Sequence, residues 1–74
     1  MIFIKVLDQL NHPVKGKTVR IASTGMKGSS SHSGGADGVV MFNMDPGEYR
    51  VSIDGKHIVT QYLDKTDNTF HIMR

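Results

Sequence analysis

Short runs rich in β-branched and aromatic residues, with apolar side chains at every second position, are cut apart by Gly, Pro, Asn, Asp and Ser along the whole chain. This two-residue period constrains the fold more than any other feature, because it sends neighbouring side chains to opposite faces of an extended strand. No window of ten or more positions carries apolar residues at i, i+3, i+4 and i+7, so no helix is expected. Six strands are predicted, over 2–7, 17–22, 38–43, 48–54, 56–63 and 68–73. Spacing of this kind points to an all-β sandwich or barrel.

Alternation also names a core: Ile4, Val6, Val19, Ile21, Val40, Phe42, Tyr49, Val51, Ile53, Phe70 and Ile72. Turn chemistry connects the runs. Residues 8–13 form a turn-rich link in which Pro13, lacking an N–H, stays outside a central strand. In Asp45-Pro46-Gly47 the proline sets φ and the glycine is free to take a positive φ. Asp54-Gly55, between two apolar runs, is the strongest hairpin signal in the chain, of the tight primed-turn kind.

Seventy-four residues make one domain, 1–74. A chain of this size buries only about 60–65% of the surface its unfolded form exposes. With no cysteine, neither a disulfide nor a thiolate metal site can brace it, which leaves an economical core or self-association. The net charge is +2. It is split as +3 over residues 1–38 and −1 over 39–74, an imbalance that reads as an ordinary solvated surface. No run approaches the ~20 apolar residues of a membrane span. No basic, apolar and small-residue segments follow one another after Met1 as in a signal peptide. The expected location is the cytoplasm, or a particle assembled there.

Residues 24–37, TGMKGSSSHSGGAD, have almost no apolar surface to bury. They are expected to form a flexible Gly/Ser-rich loop, with Lys27, Ser29, Ser30, Ser31 and His32 as the residues through which it would act or simply remain disordered.

Several of these pieces occur in a familiar order. Val6-Leu7-Asp8, then Asn11-His12-Pro13-Val14-Lys15-Gly16, then Val19-Arg20-Ile21 resembles the opening of carboxypeptidase regulatory-like (transthyretin-like) domains. Gly38-Val39-Val40-Met41-Phe42 is similar to their third strand. Met44-Asp45-Pro46-Gly47-Glu48-Tyr49-Arg50-Val51-Ser52-Ile53 is similar to their Pro-Gly, Tyr and alternating apolar motif. The chain departs from the pattern at Gly34-Gly35, where a Thr-Asp pair usually stands. It departs again at Asn11, in place of a glycine, although asparagine tolerates the same left-handed backbone. The resemblance implies a small Greek-key β-sandwich of immunoglobulin/transthyretin-like type, with about six to seven strands. It implies an accessory role, since such domains space modules, stabilise neighbours or bind proteins and sugars.

No catalytic constellation is apparent. His12, His32, His57 and His71 show no i, i+2 or i, i+4 pairing, and no carboxylate completes a compact metal set. Hydroxyisourate hydrolases share the transthyretin-like fold, but their C-terminal Tyr-Arg-Gly-Ser is replaced here by Phe70-His71-Ile72-Met73-Arg74. Ser31-His32-Ser33 lacks a third orienting group. Gly25-Met26-Lys27-Gly28-Ser29 enters no helix, as a phosphate loop must. Phe3 and Lys5 share a face with Leu7, but there is no clear stacking platform, so nucleic acid is not an expected partner. The expectation is therefore no enzyme, no metal and no cofactor.

Apolar residues do lie on the faces opposite the core set: Phe3, Leu7, Val39, Met41, Val59, Leu63 and Met73. Apolar residues on both faces of a strand call for a second buried surface. These seven are the candidate interface, for a protein partner or a second copy of the chain. The expected function is a non-catalytic protein-interaction or assembly subunit; the alternative is a small carbohydrate-binding module using loops at one end of the sandwich.

Overall fold

A computed structural model describes residues 1–25, 28–65 and 68–73 as seven strands, with no helix among them. They are β1 (Ile2–Leu7), β2 (Thr18–Ser23), β3 (Ser29–Ser33), β4 (Val39–Phe42), β5 (Gly47–Ile53), β6 (Lys56–Leu63) and β7 (Asn68–His71). The strands form two sheets, one of three strands in the order β4-β1-β7 and one of four in the order β3-β2-β5-β6. β1 runs antiparallel to β4 and parallel to β7. Every pair in the four-stranded sheet is antiparallel.

Alternation builds the space between the sheets. Ile2, Ile4 and Val6 of β1 point inward with Val40, Phe42 and Phe70, and meet Val19, Ile21, Tyr49, Val51 and Ile53 of the other sheet. Each large side chain so buried contributes roughly 1.5–3 kcal/mol of gross stabilisation. Ten of the eleven expected core residues are buried, and Ile72 is partly buried against them. Ile2, Val14 and Leu63 join this core. Val14 is in no strand, so a two-residue period could not mark it.

The turns follow their chemistry at most places. Asp54 (φ 51°) and Gly55 (φ 82°) both take positive φ between the paired residues Ile53 and Lys56, as a tight primed hairpin requires. Asn11 takes φ 64° within a turn in which Asp8 Oδ1 accepts the backbone N–H groups of Leu10 and His12, each at 2.9 Å. Gly47, free to take a positive φ, begins β5 without one.

The segment expected to be a loop is corrected. Ser29–Ser33 is a strand, paired with β2 from Thr18↔Ser33 to Ala22↔Ser29. Its stability comes from this ladder and not from burial, because only Ser30 is even half-buried. A strand held by backbone hydrogen bonds with a polar outer face gives no hydrophobic signal. Lys27, named with that loop, lies outside the described residues.

Strand β6 carries the main irregularity. Val51 lies opposite Val59 but Ser52 lies opposite His57, which leaves Ile58 as an extra, bulged residue. Past the bulge, Val59 and Leu63 turn inward: Leu63 is fully buried and Val59 packs against the core. Ile58 and Tyr62 face solvent. The expected faces of this strand are therefore reversed, because an inserted residue shifts a two-residue period by one.

Candidate functional site

The outer face of each sheet is a candidate surface. On the three-stranded sheet Phe3 lies directly opposite Met41, and Lys5 opposite Val39 on one side and Thr69 on the other. Phe3 is 37% exposed and Met41 52%. Val39 and Leu7 are partly exposed beside them, with Lys5 among them. Four of the seven expected interface residues, Phe3, Leu7, Val39 and Met41, are thus brought onto one face. On the β7 side the face turns polar, with Thr69 and with His71, whose ring nitrogen lies 2.6 Å from the Asn11 side-chain oxygen.

The other three expected residues do not join them. Leu63 and Val59 belong to the interior, as above. Met73 is 83% exposed but lies beyond β7, near Ile58 at the open edge between β6 and the chain end.

The outer face of the four-stranded sheet has a different character. Arg20 of β2 sits between Ser31 of β3 and Ser52 of β5. Arg50 of β5 sits between Ala22 of β2 and Thr60 of β6. The two arginines are diagonal neighbours across the β2–β5 ladder, about 7–8 Å apart at their backbones. The Asp54-Gly55 hairpin register sets His57 on this face opposite Ser52, and its Nε2 lies 3.2 Å from the Thr60 hydroxyl. These side chains line an open concavity of about 810 Å³. Among the described residues neither guanidinium has an ion pair or hydrogen-bond partner; the ion pair they contain joins Lys17 to Asp54 at 3.0 Å.

Nearby carboxylates are engaged elsewhere. Asp54 Oδ1 accepts the Thr18 backbone N–H at 3.0 Å while Oδ2 meets Lys17. That backbone hydrogen bond, helped by Lys17, holds the Asp54 carboxyl below the usual carboxylate value. Glu48 Oε1 accepts the Thr24 hydroxyl at 2.9 Å and lies across from Tyr62.

His32 of the expected loop sits against the core edge, its ring 5.1 Å from the Phe42 ring in edge-on geometry, with Ser30 Oγ 3.2 Å from its Nε2. Ser29 and Ser31 point from the opposite face of that strand, so the four described residues of the expected loop set do not form one cluster. Among the described residues no three His, Asp or Glu side chains gather in a metal-holding group. No helix among them is long and apolar enough to cross a membrane.

Sequence reasoning missed that Arg20 and Arg50 are neighbours on one face. Each visibly stands outside, between Val19 and Ile21 or between Tyr49 and Val51. Only the β2–β5 register makes them diagonal neighbours. Comparison with protein-family models, with curated proteins and with solved structures finds no match to this chain.

Proposed function

We propose that this chain is a non-catalytic protein-interaction or assembly subunit, built as a Greek-key sandwich of the carboxypeptidase regulatory-like kind. It docks through the outer face of its three-stranded sheet. The Greek-key reading is supported by β4 returning beside β1 after the β2–β3 hairpin has been laid in the other sheet. The interaction reading rests on the pair Phe3–Met41, directly opposed on neighbouring strands and both exposed, with Val39 and Leu7 alongside. Cross-strand apolar pairs on a solvent face cost free energy that a docked surface recovers. Lys5, opposite Val39, is compatible with such a face, because a lysine's methylene stem can cover apolar surface while its ammonium stays in water.

The test is the Phe3→Ser/Met41→Ser double variant, which removes two exposed apolar groups and no buried one. Light scattering on the native chain over rising concentration is expected to show association, or immobilised native chain to retain a specific protein. The double variant should lose either behaviour with an unchanged circular dichroism spectrum. A native chain that stays monomeric and retains nothing, or a double variant that behaves as native, overturns the reading.

A further inference from the structure

The geometry points to a second site, on the opposite side of the molecule from the docking face: an anion site for a phosphate or sulfate group, held between Arg20 and Arg50. Each guanidinium offers five N–H donors in a planar fork suited to a tetrahedral oxyanion. Neither spends them inside the described protein. The cross-strand neighbours of both are short: Ser31 and Ser52 beside Arg20, Ala22 and Thr60 beside Arg50. Two long cationic side chains therefore stand over a low floor of hydroxyls, and the concavity described above is the space between and around them.

Charge placement supports the same conclusion. A sheet face shaped only for solubility sets opposite charges across from one another. Here two like charges are diagonal neighbours and no carboxylate faces either one across a ladder. Glu48, two residues along β5 from Arg50, is bound by Thr24 and opposes Tyr62. Asp54 at the hairpin tip is held by Thr18 and Lys17. An oxyanion between the arginines would satisfy both forks and relieve their repulsion. The bulge completes the polar face. In a regular strand His57 and Thr60, three residues apart, would lie on opposite faces; the extra residue Ile58 puts both on this one, His57 beside Ser52 and Thr60 beside Arg50.

Isotope-edited amide and arginine side-chain spectra, recorded at low ionic strength, test the site. The additions are inorganic phosphate, inorganic sulfate, a phosphomonoester (phenyl phosphate), and chloride at matched ionic strength. Saturable shifts are expected with the first three, centred on Arg20, Ser31, Arg50, Ser52 and His57, with chloride producing none that saturates. Tighter binding of the monoester than of free phosphate assigns the site to esters, and equal binding assigns it to the free anion. Arg20→Gln and Arg50→Gln should each weaken binding about tenfold. Arg20→Lys, which keeps the charge but not the fork, should fall between native and Arg20→Gln. Both guanidinium groups are solvent-facing, so the glutamine variants should keep native spectra elsewhere, which verifies that they fold. Identical saturation in the Arg20→Gln/Arg50→Gln chain, or shifts that chloride reproduces, overturns the assignment. The Phe3→Ser/Met41→Ser chain should bind phosphate as the native chain does, so this site and the docking face fail or hold independently.

Discussion

The Tyr49 hydroxyl donates to the main-chain carbonyl of Asp45, 2.6 Å away and four residues earlier, while its ring is completely enclosed by the core. The bond satisfies the phenol and clamps the turn that delivers β5 from one sheet to the other. Tyr49→Phe should lower the unfolding free energy by about 1 kcal/mol, and Tyr49→Ala by about 3–5 kcal/mol, measured by urea titration. Burial, with the Asp45 carboxylate adding to it, pushes the Tyr49 phenol above its ordinary value of 10.0. The folded chain then keeps a proton that the unfolded chain releases, so stability falls as pH rises past 10.0. That alkaline loss should be shallower in Tyr49→Phe.

Gly38 and Gly55 both hold positive φ, +73° and +82°, but for different reasons. A Cβ on Gly38 would stand 2.6 Å from the Val6 carbonyl oxygen and 3.2 Å from the Val14 nitrogen, both main-chain atoms. Around Gly55 nothing lies within 4 Å. Gly55→Ala should therefore cost only the left-handed backbone, about 1–2 kcal/mol. Gly38→Ala should cost distinctly more, because the β1–β4 contact must also open. Denaturant midpoints of the two variants compare them directly, and equal values would refute the steric account.

Asp54 predicts an acid limb of the stability curve. Its carboxyl is held below the ordinary 3.8, first by the Thr18 N–H and then by Lys17. For a depressed carboxylate the stabilisation is complete above the ordinary value and disappears as pH falls through the folded value. Thermal melts at stepped pH should show this loss in the native chain and a flatter profile in Asp54→Asn. At neutral pH Asp54→Asn should melt somewhat below the native chain and approach it as pH falls, since asparagine lacks the charge that meets Lys17 but tolerates φ 51° and retains an acceptor for Thr18. Asp54→Ala, losing both, should melt lowest.

Asn68 is a buried polar residue whose side chain bonds main-chain groups. Its Nδ2 donates to the carbonyls of Phe3 at 2.9 Å and Asp64 at 2.7 Å, and its Oδ1 accepts the Asp64 N–H at 3.1 Å. These bonds tie the end of β6 to the parallel β1–β7 pair. Asn68→Ala should cost about 1–3 kcal/mol by stranding buried carbonyls. Asn68→Asp should cost more at neutral pH, because a carboxylate would then face two carbonyl oxygens. Chemical denaturation at neutral pH orders the three chains.

Alternation alone pointed to strands and no helix, and it selected the buried faces of β1, β2, β4, β5 and β7, where Ile4, Val19, Phe42, Tyr49 and Phe70 are all enclosed. It also located the Asp54-Gly55 hairpin, since those two residue types carry the required positive φ in their own chemistry. Tertiary structure decided the remainder. Strand β3 exists because Ser29–Ser33 can complete the β2 ladder, a main-chain bond that side-chain hydropathy does not encode. Leu63 is core and Tyr62 is surface because one bulged residue, Ile58, reset the period of β6. Phe3 meets Met41, and Arg20 lies diagonal to Arg50, through ladder registers that join residues at least 26 positions apart. A local pattern reports which way a side chain points; only the pairing of distant strands settles what stands beside it.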